Sequence, residues 1–222
     1  MLQAVIFDMD GLLLDSERDA VDAWVEIARR HGYAMPPELV ASTCGCDARD
    51  TKRIITDQMP AGFAYDALRA ERNALMQAWY AERGILLRPT VRAFLAELQA
   101  RAIPYAIGTS TARERARERL RLAGVEDEFP ILAGGDEVPR GKPDPAIFLL
   151  AAQRLGAAPS ACAVFEDSYY GLLAARACGM TGFCVPDLLT VAQRPELAEA
   201  ADYVVPTLMD ALPLLLPLFT AS

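Results

Sequence analysis

The sequence predicts an α/β fold, a doubly wound parallel-sheet (Rossmann-like) core with an inserted all-helical cap domain. Three observations carry that prediction. Short apolar runs of strand length recur at Val5–Asp8, Tyr105–Thr109, Ile131–Ala133, Ala163–Glu166 and Thr181–Val185, with a weaker one at Tyr203–Val205. Runs that short and continuously apolar suit strands covered on both faces. From about Thr90 onward helical patterns separate them, and strand–helix alternation is the mark of a parallel sheet. Between Asp15 and about Gly84 only helical patterns occur.

The first strand, Ala4-Val5-Ile6-Phe7, ends in Asp8-Met9-Asp10-Gly11. A period of two puts Asp8 and Asp10 on one side of an extended backbone, and Gly11 lets the chain turn away. Like charges that close call for a cation. A divalent metal is the simplest one, and a carboxylate beside a hard cation is a competent nucleophile toward phosphorus. An Asp-x-Asp-Gly run is also a common turn, so the weight rests on three further groups of polar residues at strand exits. Helical stretches Glu17–Arg30, Asp47–Gln58 and Ala64–Arg83 come next, separated by Pro36-Pro37 and Met59-Pro60-Ala61-Gly62. This insert leaves the core just after Asp10 and returns before the second strand, so it is placed to hang over the carboxylates. There it can exclude water and choose the substrate. The expected boundaries are 1–14 and 85–222 for the core and 15–84 for the cap.

The second strand ends in Ile107-Gly108-Thr109-Ser110-Thr111, where the helix Thr111–Leu122 begins. Such a junction offers a hydroxyl and free backbone N–H groups to a phosphate, with Thr109 facing the ligand and Ser110 or Thr111 as the N-cap. The arginines from Arg113 to Arg121 alternate with Glu114 and Glu118 all round the helix, which reads as a solvated helix with internal ion pairs. Gly141-Lys142-Pro143-Asp144-Pro145 then holds a lysine in a stiff turn ahead of the helix Ala146–Leu155. The next strand ends in two acids, Glu166-Asp167, and Gly171, Ala174 and Ala175 after it allow close helix-to-sheet packing. The tail from Ala211 to Phe219 is apolar but broken by Pro213 and Pro217. It falls far below the roughly 20 residues that cross a bilayer and reads as a packing helix with a frayed end.

Composition narrows the chemistry. With 222 residues, 53% of them hydrophobic, the chain can bury a full core. A net charge of −8 argues against nucleic-acid binding, which needs a basic surface. No secretory leader precedes the first strand, so a cytoplasmic protein with no membrane partner is expected. Five cysteines read as reduced thiols, and Cys44-Gly45-Cys46, the one close pair, lacks two further zinc ligands. The single histidine, His31, sits where a helix ends; Trp24 and Trp79 read as cap core. One histidine all but removes histidine-base triads and histidine-rich metal sites, leaving carboxylates, lysine and hydroxyls to do the chemistry.

Asp8-x-Asp10, Thr109, Lys142 and Glu166-Asp167 therefore gather at strand exits along one edge of one sheet. In that order they resemble the four motifs of the haloacid dehalogenase superfamily, and the resemblance covers nearly the whole chain, helical cap included. It implies that Asp8 is the nucleophile forming an aspartyl-phosphate and Asp10 the general acid and base. It implies Mg²⁺ bound by Asp8, the Asp10 backbone carbonyl and Asp167, with Glu166 assisting directly or through water. It implies Thr109, the Ser110 N–H and Lys142 on the phosphoryl oxygens, Lys142 and Thr109 counting with the catalytic groups. Dehalogenases proper lack the carboxylate that Asp10 supplies, so a phosphatase is expected, acting on a small phosphorylated metabolite such as a sugar or polyol phosphate. Arg49 and Lys52 fall where related caps turn a loop toward the site and are candidate substrate contacts. A β-phosphoglucomutase-type activity is the alternative, but that enzyme carries a histidine ten residues beyond the second aspartate, where this chain has Ala20. A phosphoacceptor signalling or binding protein is a more distant reading: receivers are about half this length and have no helical insert.

Overall fold

In the computed structural model, which describes residues 1–44, 46 and 48–220, the core is a six-stranded sheet. Its strands are β1 (Ala4–Phe7), β2 (Tyr105–Gly108), β3 (Leu132–Ala133), β4 (Cys162–Glu166), β5 (Thr181–Cys184) and β6 (Tyr203–Val204). All pairs are parallel, in the order β3-β2-β1-β4-β5-β6. In register, Phe7 lies opposite Ile107 on one side and Phe165 on the other. Alternate residues of β1 face two separate cores. Val5 and Phe7 pack with Phe94, Leu98, Phe129, Phe165 and Phe183, while Ala4 and Ile6 pack with Phe148, Ala151, Val164 and Ala174. Burial on both faces is why the strand sequence is apolar throughout rather than alternating.

Helices cover both faces: α5 (Val91–Ala100), α6 (Arg113–Leu122), α7 (Ala146–Leu155), α8 (Tyr169–Ala177), α9 (Glu196–Ala200) and α10 (Leu208–Thr220). The strand order reverses beside β1, so the carboxyl ends of β1 and β4 open onto a crevice, the usual ligand position of such a sheet.

Between β1 and α5 the chain forms α1 (Ser16–Arg30), α2 (Pro37–Ala41), α3 (Ala48–Gln58) and α4 (Tyr65–Arg83). These share a small core of their own, in which Trp24, Ile27, Val40, Ile55, Tyr65 and Leu68 are buried. The outgoing and returning connections run side by side: Asp15 N–H donates to Leu86 O and Arg88 N–H to Leu13 O, both at 2.9 Å. The Arg88 guanidinium also donates to Gly11 O at 2.7 Å and Pro186 O at 2.9 Å, pinning the outgoing turn to the loop after β5.

Three sequence expectations change. Helix α6 starts at Arg113 behind Ala112, so neither Ser110 nor Thr111 caps it; the Arg113 N–H is met instead by Asp136 Oδ1 at 2.7 Å. The α6 arginines pair outward, Arg113 with Glu137, Arg121 with Glu126 and Arg119 with Asp10, rather than with Glu114 or Glu118. Exposed pairs within a helix contribute only about 0.3–0.5 kcal/mol, too little to hold these arginines against carboxylates beyond the helix. Helix α10 runs through Pro213 and Pro217. An internal proline costs about 3 kcal/mol, but Leu208, Ala211, Leu212 and Leu215 are buried on its inner face, each large one contributing about 1.5–3 kcal/mol. The expected start of α3 at Asp47, and Gly45 of the Cys44-Gly45-Cys46 pair, lie outside the described residues. Among the described residues no helix is long and apolar enough to cross a membrane.

Candidate active site

The last residue of β1 is followed by Asp8, which is buried, its N–H bonded to Phe165 O at 3.0 Å so that the acid stays in line with the strand. Lys142, delivered by the turn before α7, places Nζ 2.5 Å from Asp8 Oδ1 and 2.5 Å from Glu166 Oε1. The ammonium also lies 4.7 Å from the centre of the Phe148 ring, which walls it from water. Glu166 is fully buried and its other oxygen accepts from Asp167 N–H, Ser168 N–H and Ser168 Oγ at 2.8–3.1 Å. A glycine is required behind it: a Cβ on Gly171 would stand 1.8 Å from Glu166 Oε1. Gly11 is constrained twice over, by φ of +82° and by Asp167 Oδ2 only 2.3 Å from where its Cβ would be.

Asp8, Glu166 and Asp167 each bring a carboxylate oxygen within 4.8 Å of the others. Burial lifts Asp8 to about 7 against the pull of Lys142. Burial, then the charges of Glu166 and Asp8, push Asp167 well above the usual carboxylate range. Burial works against the Lys142 charge, yet Asp8 and Glu166 outweigh it and hold the ammonium above its ordinary value. Lys142 thus answers two of the three acids, and among the described residues nothing donates to the Asp167 carboxylate. A cluster of hard oxygen donors with one acid uncompensated fits a divalent cation.

Thr109 follows β2 and is buried, its Oγ1 accepting from Thr111 N–H at 3.1 Å. With Asp8, Asp10, Ser110, Lys142, Asp167 and others it lines a cavity of about 320 Å³. A second cavity of about 330 Å³ continues into the helical insert, past Ala20, Trp24, Thr43, Thr51, Arg69 and Arg72. Asp10, Glu17 and Cys46 line both. Asp10 therefore stands at the junction. Its Oδ1 accepts from Ser16 Oγ at 3.0 Å and from Arg119, and its Oδ2 from Thr111 Oγ1 at 2.7 Å. The insert is tied over this edge by Tyr170 Oη donating to Asp50 Oδ2 at 2.9 Å and Arg194 Nη1 to Cys44 O at 3.1 Å.

The structure thus brings Asp8, Asp10, Thr109, Ser110, Lys142, Glu166 and Asp167 together. Arg49 and Lys52 are both exposed, Lys52 pairs with Asp66 at 2.6 Å, and neither is among the described residues that line these two cavities. On α3 each residue is turned about 100° from the last, so Thr51 faces inward while Lys52 faces out. Arg69, Arg72, Arg119, Ser16 and Glu17 escaped the sequence reading. Spacing alone offered one signal, since Arg69 and Arg72 are three apart and share a face of α4. The Arg72 guanidinium sits 5.4 Å over the Trp24 ring, and its Nε is buried with no hydrogen-bond partner. His31 is exposed, 2.9 Å from Glu71.

A family model described as haloacid dehalogenase-like hydrolase matches residues 2–179. The chain is 33% identical to the phosphorylated carbohydrates phosphatase of Thermotoga maritima, over 81% of this chain and 82% of that protein. It is 38% identical to hexitol phosphatase A of Escherichia coli K12, over 78% of each. Among solved structures, a variant of CbbY from Rhodobacter sphaeroides in complex with xylulose-(1,5)bisphosphate superposes with a TM-score of 0.72 at 26% identity, covering 96% of this chain and 97% of that one.

Proposed function

The chain belongs to the haloacid dehalogenase-like hydrolases and is a phosphatase, and on that basis we propose that it hydrolyses a sugar or polyol phosphate through an aspartyl-phosphate on Asp8. The observation that carries this reading is the position of Asp10 at the junction of two cavities, one holding Asp8 and Lys142 and the other lined by the helical insert. A phosphoryl group beside Asp8 then has its ester oxygen at Asp10 and the rest of the substrate under the insert, residues 15–84, which acts as the cap. Thr43, Thr51, Glu17, Arg69 and Arg72 offer that part hydrogen-bonding groups, and two relatives are named for carbohydrate and hexitol phosphates.

In this mechanism an Asp8 oxygen attacks phosphorus while the bond from phosphorus to the ester oxygen breaks, and Asp10 gives its proton to the departing alcohol. Asp10 then takes a proton from the water that attacks the aspartyl-phosphate, releasing phosphate and restoring Asp8. Thr109, the Ser110 N–H and Lys142 hold the phosphoryl oxygens, where charge is stabilised in the transition state. Asp8, the Asp10 carbonyl and Asp167 would hold Mg²⁺, with Glu166 behind them, and the ion would offset the negative charge between Asp8 and the phosphoryl group. Glu166, with both oxygens occupied, serves chiefly to fix Lys142.

Hydrolysis is favoured over a mutase because Ala20 lines the cap-side cavity at the position expected of the shuttle histidine. The test is Mg²⁺-dependent phosphate release over sugar, polyol, nucleotide and carboxylic-acid phosphates, with β-glucose 1-phosphate also followed for conversion to the 6-phosphate. Release from sugar or polyol esters that is lost in Asp8→Asn is the expected result. Isomerisation without net release would establish the mutase instead, and preference for nucleotides would overturn the substrate class.

A further inference from the structure

Asp10 is held by three side chains, and they come from three parts of the chain. Ser16 opens α1, Thr111 follows β2, and Arg119 reaches back from the last turn of α6. Arg119 is the only charged one. Its side chain is 16% exposed, its guanidinium lies 6.0 Å from the centre of the Tyr80 ring on α4, and its one carboxylate partner within ion-pair distance among the described residues is Asp10. Tyr80 Oη is itself buried without a hydrogen-bond partner, so the ring serves Arg119 as a wall.

We propose that Arg119 is a positioning residue for the acid–base step, holding the Asp10 carboxyl at the junction of the two cavities where the ester oxygen must lie. The inference rests on the reading of Asp10 as the general acid. When the bond from phosphorus to the ester oxygen breaks, its electron pair goes to the leaving oxygen, which takes the Asp10 proton; the carboxylate left behind is the group Arg119 faces. A carboxyl with only two neutral hydroxyl partners would be free to turn about its side-chain torsions, and misplacement by an ångström is costly in a proton transfer. Arg119 also lines the cap-side cavity, so a direct substrate contact is the competing role, and the test must separate the two.

The test uses two esters without sugar hydroxyls, propyl phosphate and p-nitrophenyl phosphate, and reads kcat/KM, which reports the first phosphoryl transfer. Propoxide needs a proton to leave and nitrophenolate does not. Asp10→Asn should lower kcat/KM for propyl phosphate about a hundredfold or more while lowering that for p-nitrophenyl phosphate far less. Arg119→Met should reproduce the same asymmetry in kcat/KM at about tenfold or more. Arg119→Lys should recover part of it, and Arg119→Met added to Asp10→Asn should cost nothing further. Equal losses of kcat/KM on both esters would overturn the positioning role in favour of a structural or substrate-binding one. If Arg119→Met does not fold, Arg119→Lys and Arg119→Gln carry the same comparison. Symmetric losses in Asp10→Asn itself would sink the reading of Asp10, and the inference with it. Asymmetry in Asp10→Asn without asymmetry in the Arg119 variants sinks the inference alone.

Discussion

A single methyl group tests how tightly the site is built. Replacing glycine by alanine inside a helix ordinarily stabilises it by about 1 kcal/mol. Gly171 lies in the first turn of α8, where the added Cβ would stand 1.8 Å from Glu166 Oε1. Glu166 cannot yield, because one oxygen holds Lys142 and the other takes three donors. Gly171→Ala is therefore expected to reverse the usual sign, destabilising by about 2 kcal/mol as an overpacked core does. Displacing Lys142 should also lower kcat about tenfold or more, since one lost transition-state donor costs at least that. Calorimetry and steady-state rates on the same preparation check both; a neutral or stabilised variant with full activity would show that Glu166 is not fixed as described.

At the level of elements, α6 and α7 are joined to the turn after β3 through one carboxylate. Glu137 accepts from Arg154 Nη1 and Nη2 at 2.9 and 2.7 Å, from Gly134 N–H at 2.8 Å and from Arg113. Arg154 first, with the Gly134 N–H and Arg113 behind it and burial opposing, draws the Glu137 carboxyl down to about 2. An unfolded glutamate titrates near 4.3. The folded value is the lower one, so the contribution is fully present above the unfolded value and is lost as pH falls from about 5 to about 2. Glu137→Gln should thus lose stability at pH 7 and show a flatter decline below pH 5, measured as urea midpoints across pH; parallel acid limbs would refute the linkage. The same network explains why α6 needs no cap from its own sequence. Asp136, next to Glu137, receives the Arg113 N–H from another loop.

Over the whole molecule the site is a concentration of negative charge that folding must assemble. Asp8 at about 7 and Asp167 well above its normal range bind protons more tightly folded than unfolded. The contribution of these two acids to stability without a cation therefore falls as pH rises from about 4 to about 7, the opposite sign to Glu137. Mg²⁺ is expected to relieve that penalty, raising Tm more at pH 8 than at pH 5, where protons compete for the same oxygens. At a hundred times its dissociation constant a ligand adds about 2.7 kcal/mol. A Tm unchanged by Mg²⁺ at pH 8, or raised equally at both pH values, would argue against these acids as the metal site.

The strands and the long helices of the insert were legible along the chain, while the short helices α2 and α9 and the start of α6 were not. Apolar runs marked the strands, Asp8-x-Asp10 and Glu166-Asp167 marked their exits, and the strand-free stretch after Asp15 marked the helical insert. Such signals survive in one dimension because strand and helix periodicities are set by the nearest few residues. Which charges meet was settled by tertiary packing. Arg119 finds Asp10 across a sequence separation of 109, and Lys142 finds Asp8 across 134. Packing also turned Lys52 outward and Arg72 inward, and it kept α10 helical through two prolines. Those choices depend on the fit of whole elements against one another, which no window of neighbouring residues contains.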